Sequence, residues 1–114
     1  MHHLTTQHAQ AAAAKLLAAV RKRAAAHVAT ARSRPGNPHN LTLGKLVDDL
    51  ADEATAAAAF AADLCTDAGD QPGADAILAD LFGTHQHLTR QGIVCRSLAM
   101  QAWNHAPGTS LAAA

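Results

Sequence analysis

A chain of 114 residues with equal numbers of acids and bases makes one domain and no more. About a quarter of it is alanine, with one tryptophan, two phenylalanines and no tyrosine, so helix propensity is high and apolar area per side chain is small. That composition excludes an all-β fold, because no run of β-branched or aromatic residues alternates with period two. Two cysteines, Cys65 and Cys95, make no disulfide framework.

The expected architecture is all-α, a bundle of three long helices over residues 6–32, 42–67 and 71–104. It forms one domain over 1–106 with a flexible tail at 107–114. Burial is worth about 25 cal/mol per Å² of apolar surface, so an alanine core is thin. Assembly of several copies would supply the area that one chain lacks.

In the first helix Leu17, Val20, Ala24, Val28 and Ala31 fall at helical spacing, widened by Ala13 and Leu16. Residues 34–38, Arg-Pro-Gly-Asn-Pro, then break it. The second helix starts near Asn40 or Thr42, either of which can cap it. Its stripe of Leu43, Leu46 or Val47, Leu50, Ala54, Ala57, Ala61 and Leu64 is close to a heptad repeat. Residues 68–73, Ala-Gly-Asp-Gln-Pro-Gly, form the second break. Gly69 suits the left-handed position that ends a helix, Asp70 caps the next one, and Pro72 lies in its first turn. The third stripe is Ala74, Leu78, Leu81, His85, Leu88, Gly92, Cys95, Ala99 and Ala102. Gly83 and Gly92 interrupt that helix. They mark either a kink near residues 83–84, which would turn the bundle into four helices, or places where a neighbouring helix approaches closely.

Charge is unevenly placed. Lys15, Arg21, Lys22, Arg23, Arg32 and Arg34 fall in the first forty residues without an acid, whereas all nine acids lie between Asp48 and Asp80. The simplest consequence is a basic first helix lying antiparallel to an acidic second helix. The sharper one is a nucleic-acid surface at Arg21, Lys22 and Arg23.

Eight histidines raise a transition-metal hypothesis. His85 and His87 are two apart, so on an intact helix they point to different faces. They could share an ion only across a break at Gly83 or an oligomer axis, and His85 on the core stripe reads first as a buried histidine. Met1-His2-His3 offers a second site: a free amine with His3 third in line suits square-planar Cu(II) or Ni(II). The acids Asp48, Asp49, Asp52 and Glu53 read as a solvated face. Glu53 is the only glutamate, and the Glu-x-x-His pairs of di-iron bundles do not occur.

The stretch DLCTDAGDQPGADAILADLF, residues 63–82, resembles the junction between the last two helices of Dps-like miniferritins. Asp67-Ala68-Gly69-Asp70 and Gly73-Ala74-Asp75 stand where those proteins have an acidic Gly-Asp turn and an Ala-Asp-Leu helix start. The resemblance spans about residues 43–98. It implies a ferritin-like bundle assembled into a cage, with iron storage or DNA protection as the function. It carries over no ligand residue, because those families place ligands on their first two helices and the first helix here has no acid.

No nucleophile triad or phosphate loop is evident, so the reading is a non-enzymatic, homo-oligomeric interaction or scaffold module. The alternatives are a metal-binding, degenerate ferritin-like protein and a nucleic-acid binder acting through the first helix. The apolar run at residues 9–20 precedes its basic cluster and is interrupted by Lys15, unlike a secretory leader. No membrane partner is expected. The alanine bias is that of a high-GC bacterial gene, and the expected location is the cytoplasm.

Overall fold

The computed structural model describes residues 2–105, with side chains described from 6 to 101. The expected tail at 107–114 and the side chain of His3 lie outside that range. Three helices follow one another: α1 (His2–Ser33), α2 (His39–Asp67) and α3 (Gln71–His105). They run up, down and up, and each packs against the other two, α2 against α3 most extensively. Helix α3 continues unbroken through Gly83, so the bundle has three helices and not four.

The turns show why the helices stop where they do. At the second turn Gly69 takes φ +79. Its N–H donates to Thr66 O at 3.0 Å, and that of Asp70 donates to Cys65 O at 2.8 Å, the paired bonds of a Schellman stop. Asp70 Oδ1 then accepts from Gly73 N at 3.0 Å and caps α3. At the first turn neither Asn40 nor Thr42 is the cap. Asn37 Oδ1 accepts from His39 N at 2.9 Å, and Pro38, with φ −57, follows it in helical conformation. Asn40 is instead fully buried. Its amide donates back to Ala31 O at 3.3 Å and Arg34 O at 3.0 Å, a second donor for carbonyls that already accept from Arg34 N and Asn37 N in the turn.

Both turns are also tied to the third partner of the bundle. Gly36, at φ +85, donates its N–H to Leu98 O of α3 at 2.6 Å. Gln10 of α1 donates to Asp70 Oδ2 at 3.2 Å.

The core follows an eleven-residue repeat. On α1 the buried positions are Thr6, Ala9, Ala13, Leu17, Val20, Ala24, Val28 and Ala31, stepping by three, four and four. The same steps run through Asn40, Leu43, Val47, Ala51, Ala54, Ala58, Ala62 and Cys65 on α2. On α3 they join Ile77, Leu81, Thr84, Leu88, Cys95 and Ala99. Eleven residues in three turns average about 3.67 per turn, close to a straight helix, whereas a heptad averages 3.5. The heptad expectation therefore drifts. Ala57 and Leu64 are exposed while Ala58 and Cys65 are buried, and His85 is exposed while Thr84 takes the core position.

Half of the buried apolar residues are alanine. They let helices approach, most of all where Gly44 of α2 faces Gly92 of α3. A Cβ on Gly44 would stand 3.2 Å from Gly92 O, and one on Gly92 would stand 3.5 Å from Gly44 O. Gly92 is thus a close approach, one of the two expectations for it. The Arg96 Nη1–Asp48 Oδ2 pair, at 2.9 Å, straps this crossing from outside.

Candidate interaction surface

Large apolar side chains have been displaced from the core to the surface. Phe60 is 67% exposed and Phe82 66% exposed, so both phenylalanines of the chain are outside. Leu41, Leu46, Leu64, Ile93 and Met100 accompany them. Isolated exposed leucines need no explanation, but a continuous apolar face does.

Phe60 and Leu64 lie on such a face. They border a depression of about 300 Å³ between α1 and α2, lined by Ala9, Ala12, Ala13 and Leu16 on one side and Ala57 and Ala61 on the other. The eleven-residue repeat explains it. Ala57 and Leu64 stand one position outside the buried seam of α2, as Ala12 and Leu16 do on α1, and Phe60, two positions from both Ala58 and Ala62, lies further out on the same side. The alanines on this rim are too small to fill the space between the helices.

Eleven residues away all of these positions but one become polar, Leu46 alone staying apolar. Ala12 and Leu16 are succeeded by Arg23 and His27 on α1; Ala57, Phe60 and Leu64 are preceded by Leu46, Asp49 and Glu53 on α2. Arg23 Nη1 meets Glu53 Oε2 across this part at 3.7 Å, both side chains more than half exposed. Among the described residues it is the one ion pair between α1 and α2, so the basic and acidic helices neutralise each other only locally. An exposed pair of this kind is worth about 0–1 kcal/mol. Asp49 is met at 3.4 Å by Lys45 of its own helix.

The expected nucleic-acid residues are dispersed. Arg21 is half-buried and donates from Nε to Thr84 Oγ1 at 2.9 Å, joining α1 to α3. Arg23 faces Glu53, and Lys22 is exposed on another side of the helix. The two expected metal ligands also diverge. His85 is exposed and, contrary to a core position, borders an open depression of about 220 Å³ with Thr55, Leu81 and Phe82. His87 is half-buried and shares a hydrogen bond with Gln91 Nε2 at 3.2 Å. Since α3 does not break at Gly83, nothing within the chain brings the two imidazoles together. Among the described residues no group of three or more His, Cys, Asp or Glu side chains is placed to hold a metal ion.

The thiols are separate and sheltered. Cys65 lies against the start of α1, with Sγ 3.9 Å from Thr6 O. Burial pushes its thiol above the ordinary range, helped by the Asp70 carboxylate. Cys95 lies toward the other end of α1, near Arg32. Burial raises it too, opposed by Arg96 and Arg32 and helped by Asp48. Thr6 and Arg32 are about 39 Å apart along α1, so the cysteines cannot be bridged.

No described helix is long and apolar enough to cross a membrane. Comparison with known protein families, with curated proteins and with solved structures finds no match to this chain.

Proposed function

We propose that the protein is a non-catalytic helical module that works by associating with further copies of itself. One observation carries this reading: both phenylalanines stand two-thirds exposed on a bundle whose core is half alanine. Moving a phenyl ring from water into a packed interface gains about 1.5–3 kcal/mol. The folded chain leaves that gain unrealised at two positions. An exposed apolar face is stable in water when something covers it, and a core this thin gives the chain an interest in added burial.

The test is the mass of the whole chain in solution by light scattering after size exclusion, from 1 to about 100 µM. The expected result is a concentration-dependent multiple of the 11.7 kDa chain. A constant 11.7 kDa across that range would overturn the reading.

A further inference from the structure

The geometry points to one particular assembly: two copies joined groove to groove along α1 and α2, related by a two-fold axis parallel to the helices. This rests on the self-association just proposed and goes beyond it by naming the surface and the symmetry. Three surfaces were candidates. The outer line of α3 carries Ile93 and Met100 on one helix, and Phe82 on that line borders the smaller depression of about 220 Å³ whose other lining includes Thr55 and His85 and no alanine. The depression between α1 and α3, about 370 Å³, is bordered by Gln10 and Asp80 and has no large apolar side chain standing beside it except Ile77, which is already buried. The α1–α2 groove alone combines a concave alanine floor with a phenyl ring on its edge.

Charge then selects the occupant and its direction. Two layers of two helices can meet face to face about either of two in-plane axes. An axis across the helices sets α1 on the second copy's α1 and α2 on the second copy's α2. That arrangement brings base against base and acid against acid, and like charges in contact oppose binding. Centring that axis instead on the apolar part, toward the α2 C-terminus, parts those charges but leaves the polar halves of the groove overhanging and uncovered. An axis along the helices keeps every residue at its own height. Each basic α1 then lies on the second copy's acidic α2, apolar part meets apolar part, and all neighbouring helices alternate in direction.

Heights follow from the packing within the chain. Arg23 meets Glu53, and Ala12 lines the groove with Ala61 and Phe60. Across the axis Ala12 therefore faces the second copy's Phe60, a small residue opposite a large one. Arg23 faces the second copy's Asp49, where a cation already paired on one side gains a second carboxylate. Two helices about 10 Å wide in contact over roughly 25 residues cover on the order of 750 Å² per copy. That is the size of a standard specific interface. The result is an antiparallel four-helix core with an α3 on each outer side.

The proposal is tested with the full chain by sedimentation velocity and by distance measurement between spin labels. Phe60→Glu should raise the dimer dissociation constant at least about 100-fold, because a carboxylate would be buried on an alanine floor. Phe60 is exposed, so the helical signal and thermal midpoint of the dilute chain should be retained. Phe82→Glu should leave the dimer intact. Asp49→Lys should weaken it about tenfold at low salt and by less at high salt. For the axis, Lys45→Cys is labelled; Cys65 and Cys95 are buried and do not compete. The parallel axis puts the two labels about 20–30 Å apart, and the crossed axis about 40–50 Å.

Three outcomes overturn the proposal and differ in what else they remove. A monomeric wild-type chain removes both the proposal and the reading beneath it. A dimer that survives Phe60→Glu and dissociates with Phe82→Glu keeps self-association and moves it to α3. A dimer lost with Phe60→Glu whose labels lie about 45 Å apart keeps the surface and rejects the axis.

Discussion

The α2–α3 seam and the α1–α2 groove are built from the same kind of residue and have opposite results. At the seam Gly44 and Gly92 face each other, and the backbones close until a single added carbon would meet a carbonyl oxygen. At the groove Ala12, Ala57 and Ala61 line an open depression, and side chains this small leave the space between the helices unfilled. Small residues bring helices together when they lie on the line between axes. They leave a vacancy when they lie one position off it.

The largest expected effect tests that contrast directly. Gly44→Val places its Cβ where it would stand 2.9 Å from Arg96 Cγ and 3.2 Å from Gly92 O. The arginine can move, but the carbonyl belongs to α3 and moves only if the helix does. Overpacking of this kind costs about 2–3 kcal/mol. Ala57→Val brings the same final side chain, two carbons larger than alanine, to the exposed groove and should change folding stability by less than about 0.5 kcal/mol. Urea denaturation at submicromolar concentration measures both. Equal losses would mean that the groove is as tightly packed as the seam, and the comparison would fail.

A second difference separates the two ends of the bundle. The second turn is held by backbone chemistry, with Gly69 and the cap at Asp70. The first turn has its own left-handed glycine, Gly36, and adds one buried side chain, Asn40, whose amide reaches two carbonyls at the end of α1. Asn40→Ala leaves those carbonyls without that partner and should cost about 2 kcal/mol. Asn37→Ala, which removes only the cap at the exposed turn, should cost about 1 kcal/mol. Amide hydrogen exchange should then show the new openings near residues 31–41 and leave the second turn protected. Uniform loss of protection would show that Asn40 does not act locally.

Much of this was legible in the residues. Pro35, Gly36 and Pro38, and then Gly69 and Asp70, state where the helices end, and a chain short of β-branched runs has no other fold class to adopt. The stretch read there as a miniferritin-like junction forms the end of α2, this second turn and the start of α3, and its most legible part is a helix stop followed directly by an aspartate cap. The period was harder to read. Alanine is apolar at every angle around a helix, so a seven-residue and an eleven-residue repeat fit α2 almost equally, and they diverge only after several turns. That divergence puts Leu64 and Ala57 in a core and so conceals the groove. The signal was present on α1, where Leu17 and Val28, Val20 and Ala31, and Ala13 and Ala24 are each eleven apart. The same drift exchanges His85 for Thr84, a buried hydroxyl that holds Arg21. Thr84→Val keeps the shape and removes that acceptor. It should cost about 1 kcal/mol, at the low end for a buried bond because Arg21 can turn to water. A loss of about 3 kcal/mol would make the Arg21–Thr84 bond a principal α1–α3 tie.

The smallest effect compares three glycines inside helices by one substitution. Gly83 is exposed, has no positive φ, and a Cβ there would find only Arg21 Nη2 at 3.7 Å. Gly83→Ala should therefore stabilise the chain by about 0.5–1 kcal/mol, the ordinary gain of alanine over glycine in a helix. At Gly92 the same carbon would stand 2.8 Å from Asp48 Oδ1 and 3.3 Å from Arg96 Nη1, ends of side chains that can swing aside. Displacing that exposed pair offsets the helix gain, and Gly92→Ala should be close to neutral. At Gly44 the backbone carbonyl cannot yield so cheaply, and Gly44→Ala should be the least stable of the three. Thermal midpoints in the order Gly83→Ala, wild type with Gly92→Ala, Gly44→Ala follow from helix propensity and packing together. A Gly92→Ala chain as stable as Gly83→Ala would show that the α2–α3 seam has room for a methyl group, and that its close approach does not depend on glycine.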